Sequence, residues 1–317
     1  MMEENIKTHT WKWNENFFWY MVTAFLLTLA GEIIGILLVQ VPAFGVMGFT
    51  EALSGISVED IVQGHVSLSP FADAIVLYLM PIGTWIVCLL HFRRKNNRPI
   101  MKCFTPYCKG NNRRMFLFGL ALGFLSNGAC ILGAFLHGDI QLAFDSLPWG
   151  QLLVVLVCVF VQSSSEEILC RGYLYQKLMH RYNNPVIAIG INSLFFACLH
   201  LGNPSIGVVA FIDLLLSGMI FSVLVYYFDS IWAAFAMHTA WNFTQNILFG
   251  LPNSGLTVGF SVFRLAGGEG RDSFFYNAGF GVEGTWFAVL VEAALLAALI
   301  AYGRKKKKRP TNIWKTE

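Results

Sequence analysis

Three short groups of polar residues interrupt an otherwise apolar sequence, and the first combines two adjacent carboxylates with an arginine. Glu167 and Arg171 are four residues apart, in the order that favours pairing on one face of a helix. Glu166 is turned about 100° away from them. Two neighbouring carboxylates in a partly dry site cannot both ionise cheaply. The group therefore predicts that Arg171 holds Glu167 ionised while Glu166 acts as a general base toward water. The alternative is an interfacial salt bridge that anchors a helix end.

The other two groups carry histidines at helical spacing. Asn192, Phe196 and His200 recur every four residues, so a helix places them on one face. His238 and Asn242 are also four residues apart and present two hydrogen-bonding side chains together. Taken alone, each histidine is more typical of a structural residue with a hydrogen-bond partner inside a helix bundle.

Considered together, the three groups indicate hydrolytic chemistry. Polar side chains are costly to leave unpaired among apolar helices, so we expect the groups to converge. They supply a base, a second proton carrier and donors for an oxyanion, which are the parts of an acyl hydrolase. Neither a GxSxG nor an HExxH motif is present. Although Ser163, Ser164 and Ser165 precede the glutamates, we expect no serine nucleophile, because carboxylate and imidazole suffice to activate water.

The composition predicts that membrane helices position these groups. Of 317 residues, 56% are hydrophobic and 13% are charged, whereas soluble domains average about 45–50% and about 25%. The 28 Phe and 9 Trp residues exclude an intrinsically disordered chain. A net charge of +3 is too small to indicate a nucleic acid partner. Several of the seven cysteines lie in apolar runs and are interpreted as small hydrophobic residues rather than a disulfide framework.

The predicted fold class is all-α: a polytopic transmembrane helix bundle with about eight spans. A bilayer core about 30 Å thick requires roughly 20 apolar residues in each helix. The stretches that meet or approach this length are residues 17–41, 71–92, 114–136, 149–169, 185–201, 205–228, 230–250 and 285–303.

The distribution of basic residues predicts that the N and C termini are both cytoplasmic. Segment 93–114 holds eight basic residues and no acid, and segment 304–309 holds six more. Segments 42–70 and 137–148 contain acids but not one Lys or Arg. With eight spans, this orientation leaves 20 of the 22 Lys and Arg residues on the cytoplasmic side.

At the three polar groups the chain resembles the CPBP family of intramembrane proteases (the CAAX protease, Abi and bacteriocin-processing family) and is similar to type II CAAX prenyl endopeptidases. The family's EExxxR, FxxxH and HxxxN motifs occur here in order, at 166–171, 196–200 and 238–242. The resemblance covers about residues 149–250. It implies a multi-helix bundle with an internal cavity that opens toward the cytoplasmic side.

The resemblance also implies roles for the motif residues. Glu166 would activate the hydrolytic water, and His200 would help to hold or deprotonate it. His238 and Asn242 would form an oxyanion hole, in which one preorganised donor contributes about 3–4 kcal/mol.

Glu167 and Arg171 would, by the same resemblance, set the charge state and geometry of the site. Family members are described both as metalloproteases and as glutamate-type proteases. Zn²⁺ is therefore a candidate cofactor, with Glu166, His200 and His238 as ligands and one open position. The paired glutamates and the asparagine favour metal-free activation of water instead.

Three regions are predicted along the chain. Residues 1–148 hold N-terminal transmembrane helices with the basic cytoplasmic loop 93–114, residues 149–250 form the catalytic core, and residues 251–317 hold an external loop, the last helix and a basic cytoplasmic tail. The glycine-rich stretch 251–284 is either a plain external loop or a re-entrant or lid segment. Small residues that can bring helices close together are Gly119, Gly123 and Gly128.

The predicted function is an integral membrane endopeptidase, in a bacterial plasma membrane, that cleaves a peptide or membrane-protein substrate near the cytoplasmic face. Its partners are that substrate and the lipid bilayer, and the sequence does not identify the substrate. Two other classes stay open: a non-catalytic scaffold or bacteriocin-immunity protein, and a proton-coupled transporter in which Glu32, Asp213 and Glu292 join Glu166 in a relay. Internal repeats, which are common in transporters, are not found.

Overall fold

The computed structural model describes residues 15–53, 68–268, 270–307 and 309–315. About 70% of the described residues are helical. The α-helices are, in chain order, α1 (Phe17–Gly35), α2 (Val41–Leu53), α3 (Pro70–Leu79), α4 (Ile82–Phe92), α5 (Arg113–His137), α6 (Trp149–Glu167), α7 (Tyr175–Tyr182), α8 (Pro185–Leu199), α9 (Val208–Phe228), α10 (Ile231–Asn242) and α11 (Trp286–Lys305).

Wider π-helical turns connect several of these helices without a break. Ile36–Gln40 joins α1 to α2, Ile168–Leu174 joins α6 to α7, and Phe243–Leu248 extends α10. Two 3₁₀ helices, Arg98–Phe104 and Val282–Gly284, lie in the connections.

Six helices within the described ranges are long and apolar enough to cross a membrane. The other two predicted segments are also helical: they form α8, which has only 15 residues, and α10 with its π-helical extension. The count of eight spans and the cytoplasmic position of both termini therefore stay predictions.

Two helices continue beyond the predicted spans. The fourth span was expected to end near residue 169, but the apolar helix runs from Trp149 to Tyr182. Glu166 therefore lies inside a 34-residue helix rather than at its end. Part of the expected loop 42–70 is helical as far as Leu53, and Glu59 and Asp60 of that loop lie outside the described residues.

A small antiparallel sheet accompanies the helices, a feature that the all-α prediction did not include. Strand β1 (Leu142–Phe144) pairs with β2 (Phe263–Leu265). On both sides of β2 in segment 251–284, the side chains of Leu251, Tyr276 and Val282 are buried against α5 and α10. The segment is therefore a packed cap on the bundle.

Helices α5 and α10 approach each other through glycines. A Cβ on Gly119 would overlap the carbonyl oxygen of Ala233, and a Cβ on Gly123 would overlap that of Met237. Gly128, by contrast, has open space where its Cβ would be. Two of the three predicted close-packing glycines thus bring backbones together, as small residues do between membrane helices.

We expect Gly123→Ala to lower the free energy of unfolding by about 1–3 kcal/mol, because the new methyl group must displace backbone of α10. Thermal unfolding of the purified protein in detergent measures the change. Gly128→Ala is the matched control and should be neutral or slightly stabilising, since alanine is the better helix former. Equal destabilisation by the two variants would contradict the close packing.

A polar network ties the cap to the end of α5. Asp139 is buried, and it accepts hydrogen bonds from Ser273 Oγ at 2.5 Å and from Arg271 Nη2 at 3.1 Å. His137 Nδ1 lies 2.9 Å from the same carboxylate. Burial by itself raises the pKa of Asp139, but the hydrogen bonds from Ser273, His137 and Arg271 outweigh it and leave the pKa below its ordinary value.

The lowered pKa of Asp139 determines how the stability of the cap changes with pH. A carboxyl whose pKa is lower in the folded state stabilises that state above its ordinary pKa, about 3.9. That contribution is lost as the pH falls through the folded pKa. We expect the hydrogen-exchange protection of residues 270–276, corrected for the intrinsic rate at each pH, to fall below about pH 4 in the wild type. Asp139→Asn should show low protection already at neutral pH. A cap equally protected in both proteins at pH 7 would refute this role.

Candidate active site

The site is built around a fully buried ion pair between two residues of the first motif. Arg171 Nη1 lies 3.0 Å from Glu167 Oε1, and both side chains have 0% exposure. Arg171 also donates from Nη2 to the carbonyl oxygen of Gly218 on α9, at 2.8 Å. Its guanidinium carbon lies 4.6 Å from the ring centroid of Phe196 and 5.1 Å from that of Phe221. The predicted pairing is therefore present, and it connects α6, α8 and α9.

The π-helical turn begins at Ile168, directly after the two glutamates, and contains Arg171. Such turns interrupt the regular spacing of an α-helix and occur often at functional sites. All residues of the turn Ile168–Leu174 are buried. The arginine is thus carried into the interior of the bundle.

His238, on α10, is held by the same carboxylate. Its Nδ1 lies 3.0 Å from Glu167 Oε1, and its ring stacks on Phe221 with centroids 4.9 Å apart. A carboxylate paired with Arg171 can only accept, so His238 donates from Nδ1. The other ring nitrogen, Nε2, faces Glu166 Oε2 at 4.0 Å.

His200 ends α8 and is oriented by its own helix. Its Nδ1 lies 2.9 Å from the carbonyl oxygen of Phe196. Because a carbonyl only accepts, Nδ1 carries the proton. His200 Nε2 then faces Glu166 Oε2 at 3.9 Å, so both histidines direct the same nitrogen toward one carboxylate oxygen.

Glu166 has one occupied and one available oxygen. Its Oε1 accepts a hydrogen bond from Gln162 Nε2 at 2.5 Å. Its Oε2 is buried and has no hydrogen-bond partner among the described residues. The separations of 3.9 and 4.0 Å from the histidines are too long for direct hydrogen bonds. They match the spacing of polar groups that share one bridging water.

Asn242 reaches the site through a residue that the sequence analysis missed. Its Nδ2 donates to Gln162 Oε1 at 2.9 Å and to Ser163 Oγ at 3.3 Å. Gln162 thus links Asn242 to Glu166. Gln162 lies four residues before Glu166, so the two side chains share one face of the helix, and this spacing could have identified Gln162 from the sequence. Ser164 and Ser165 donate to carbonyls of their own helix, those of Phe160 and Gln162 respectively.

Asn192 shares the face of α8 that carries Phe196, as predicted, and both side chains contact α9. It is fully buried and donates to Ser222 Oγ on α9 at 2.8 Å. Its contact therefore holds α8 against α9. Of the second motif, Phe196 contacts the buried arginine and His200 faces Glu166.

The site opens into a cavity of about 820 Å³, within the range of sites that bind ligands. Glu166, His200, His238 and Asn242 line it, together with Gln162. Much of the remaining wall comes from one face of α1, the α3–α4 turn and the cap: Phe18, Val22, Phe25, Leu29, Glu32, Met80, Pro81, Asn253, Ser254 and Leu256. Of these residues only Glu32 was a candidate from the sequence.

The other intramembrane acids divide between two places. Glu32 lines the cavity, whereas Asp213 and Glu292 do not. Glu292, which is buried on α11, accepts a hydrogen bond from Ser217 Oγ of α9 at 2.5 Å. Within the described residues, Asp213 and Glu292 therefore lie outside the cavity that Glu32 and Glu166 share.

The candidate zinc ligands do not form a compact set. Across the described ranges, no group of three or more His, Cys, Asp or Glu side chains is arranged to hold a metal ion. Zn²⁺ binds nitrogen and oxygen ligands at about 2.0–2.2 Å. Separations of 3.9 and 4.0 Å between Glu166 Oε2 and the two imidazole nitrogens are wide for tetrahedral ligands at that distance.

Comparison with known proteins agrees with the three motifs. Residues 148–244 match the family model for Rce1-like, type II CAAX prenyl endopeptidase proteins. The uncharacterized protein YyaK of Bacillus subtilis (strain 168) is 29% identical over 133 residues, which cover 41% of this chain and 43% of that protein. The chain thus matches less than half of this relative's length. No solved structure is significantly similar.

The family match and the six apolar helices indicate an integral membrane protein of the CAAX protease type. All three motifs lie within the residues, 148–244, that match the Rce1-like family model.

Proposed function

We propose that the protein is an intramembrane endopeptidase that hydrolyses a peptide bond of a peptide or membrane-associated substrate. The observation that carries the proposal is the unpaired Oε2 of Glu166, which faces the Nε2 atoms of His200 and His238 at 3.9 and 4.0 Å. This arrangement suits a carboxylate base that shares a water with imidazole.

Glu166 is the general base of the proposed reaction. It takes a proton from a water that also donates to His200 Nε2. The water oxygen forms a bond to the scissile carbonyl carbon and gives a tetrahedral intermediate. Glu166 then returns the proton to the amine as the C–N bond breaks, which is the reverse role of the same group.

The negative charge that develops on the carbonyl oxygen needs donors. His238 would supply one from Nε2; since its Nδ1 lies 3.0 Å from Glu167 Oε1, this role requires a proton on both ring nitrogens. Asn242 supplies the other from Nδ2. Because Asn242 donates to Gln162 and Ser163 in the described state, substrate binding exchanges one of these hydrogen bonds for one to the oxyanion.

We expect Glu166→Gln to lower the cleavage rate by about 10²–10⁴-fold, because the amide keeps the shape of the side chain but cannot act as a base. The measurement compares, by mass spectrometry, the peptides and membrane proteins of cells that carry the wild type with those of cells that carry the variant at equal membrane level. Products present only with the wild type identify the substrate.

Asp145→Asn is the control for this comparison. Asp145 is an exposed acid outside the cavity, paired with Arg264 at 3.3 Å, and its variant should cleave like the wild type. A cellular effect that persists in Glu166→Gln without any change in products would instead identify a scaffold. Cleavage that a zinc chelator abolishes and added zinc restores would contradict the metal-free mechanism.

Gln162→Leu should reduce kcat by roughly 10- to 100-fold while the amount of folded protein stays the same. The change removes a hydrogen bond to the Glu166 carboxylate, and such bonds contribute about 1.5–3 kcal/mol. It also releases Asn242. Gln162→Glu is the informative partner variant, because it keeps the shape but places a second acid 2.5 Å from Glu166 Oε1, which should shift the pH profile of kcat. Wild-type kcat in Gln162→Leu would show that this link is not used.

A further inference from the structure

The charge of the cavity wall bears on the substrate, which the motifs leave unidentified. Two acids, Glu32 and Glu166, line the cavity, and no Lys or Arg among the described residues does. Glu166 is committed to the site described above. Glu32 has no role in that site, and within the described part of the chain it makes no hydrogen bond or ion pair.

Glu32 is placed toward the cavity by the packing of α1. Gly31 and Gly35, its neighbours on the helix, contact α4 and the preceding turn so closely that a Cβ on either would overlap Thr84 or Met80. Phe18, Phe25 and Glu32 lie seven residues apart on one face of α1, and all three line the cavity. The wall therefore consists of an apolar stripe that ends in a carboxylate.

Glu32 is exposed to the cavity, and no Lys or Arg among the described residues lines that cavity beside it. Glu32 lies near the middle of the apolar helix Phe17–Gly48, and an acid inside a membrane span is expensive unless it pairs or faces a polar cavity. A cationic side chain from a bound molecule would compensate it. A free C-terminal carboxylate, by contrast, would meet two acids and no arginine or lysine, although carboxylates are normally recognised by such cations.

We propose that Glu32 is a specificity-determining residue that binds a Lys or Arg side chain of the substrate, so that the cavity selects a basic peptide segment over a free C-terminal carboxylate. This inference rests on the proposed endopeptidase function and adds the charge of the substrate to it. Apolar residues next to the basic one occupy the stripe formed by Phe18, Val22, Phe25 and Leu29.

The test uses the full-length protein in lipid nanodiscs and a library of apolar peptides acetylated at the N-terminus. Each position in turn carries Lys, Gln or Glu, and each peptide is made with a free or an amidated C-terminus. We expect one position at which kcat/KM is about tenfold or more higher with Lys than with Gln, as for a partly desolvated charge pair. Amidated peptides should be cleaved at least as well as free acids.

Variants of Glu32 then assign the preference. Glu32→Gln should bring the Lys-to-Gln ratio of kcat/KM near one, Glu32→Asp should keep a ratio well above one, and Glu32→Lys should favour the Glu peptides. Ile33→Leu is the matched control on the neighbouring, exposed position and should keep the wild-type ratio.

The failures of the two proposals are distinguishable. Cleavage that depends on Glu166 but shows no preference for Lys, or a preference that persists in Glu32→Gln, overturns the role of Glu32 and leaves the endopeptidase standing. If the wild type and Glu166→Gln are equally inactive on every peptide of the library, the proposed function fails and this inference falls with it.

Discussion

The buried ion pair between Glu167 and Arg171 is the constraint on which the site depends. Two charges without exposure to water carry a large desolvation penalty, which is offset only if each finds several partners. Arg171 meets this requirement with Glu167, the carbonyl of Gly218 and the faces of two aromatic rings. Removing one charge of a buried pair costs about 3–5 kcal/mol. Helices α6, α8 and α9 are therefore held in one relative arrangement by the pair.

The same pair orients the reactive groups. Glu167 Oε1 is shared between Arg171 and His238, so the position of the arginine fixes the carboxylate and the carboxylate fixes the imidazole. Because His238 donates from Nδ1, its Nε2 is the atom turned to Glu166. Glu166 itself contacts no Lys or Arg among the described residues; its Oε1 accepts from the amide of Gln162 and its Oε2 faces two imidazoles. The two adjacent glutamates thus have different environments. Such a difference allows Glu167 to be structural while Glu166 serves as the proposed base.

The predictions from sequence succeeded where residues on one helix determine the outcome. The four-residue spacing of Glu167 and Arg171 was enough to predict their contact, since a helix fixes that distance. The location of the eight helical segments followed from apolar runs in the same way. The hydrogen bond from Asn192 to Ser222, the link through Gln162 and the cap strand β2 were not predicted. Each depends on contacts between segments far apart in the chain, which no local pattern encodes.

The two walls of the cavity are built by different physical means. The wall that carries the motifs is fixed by buried hydrogen bonds and charges, whose directions allow little variation. The α1 wall is fixed by glycines, because Gly31 and Gly35 let the backbone of α1 contact α4 and the turn before it. Close backbone packing determines where α1 lies without dictating the side chains on its other face. Substitutions on that face would therefore leave the positions of Glu166, His200 and His238 unchanged, so the proposed substrate preference and the proposed hydrolysis depend on separate parts of the structure.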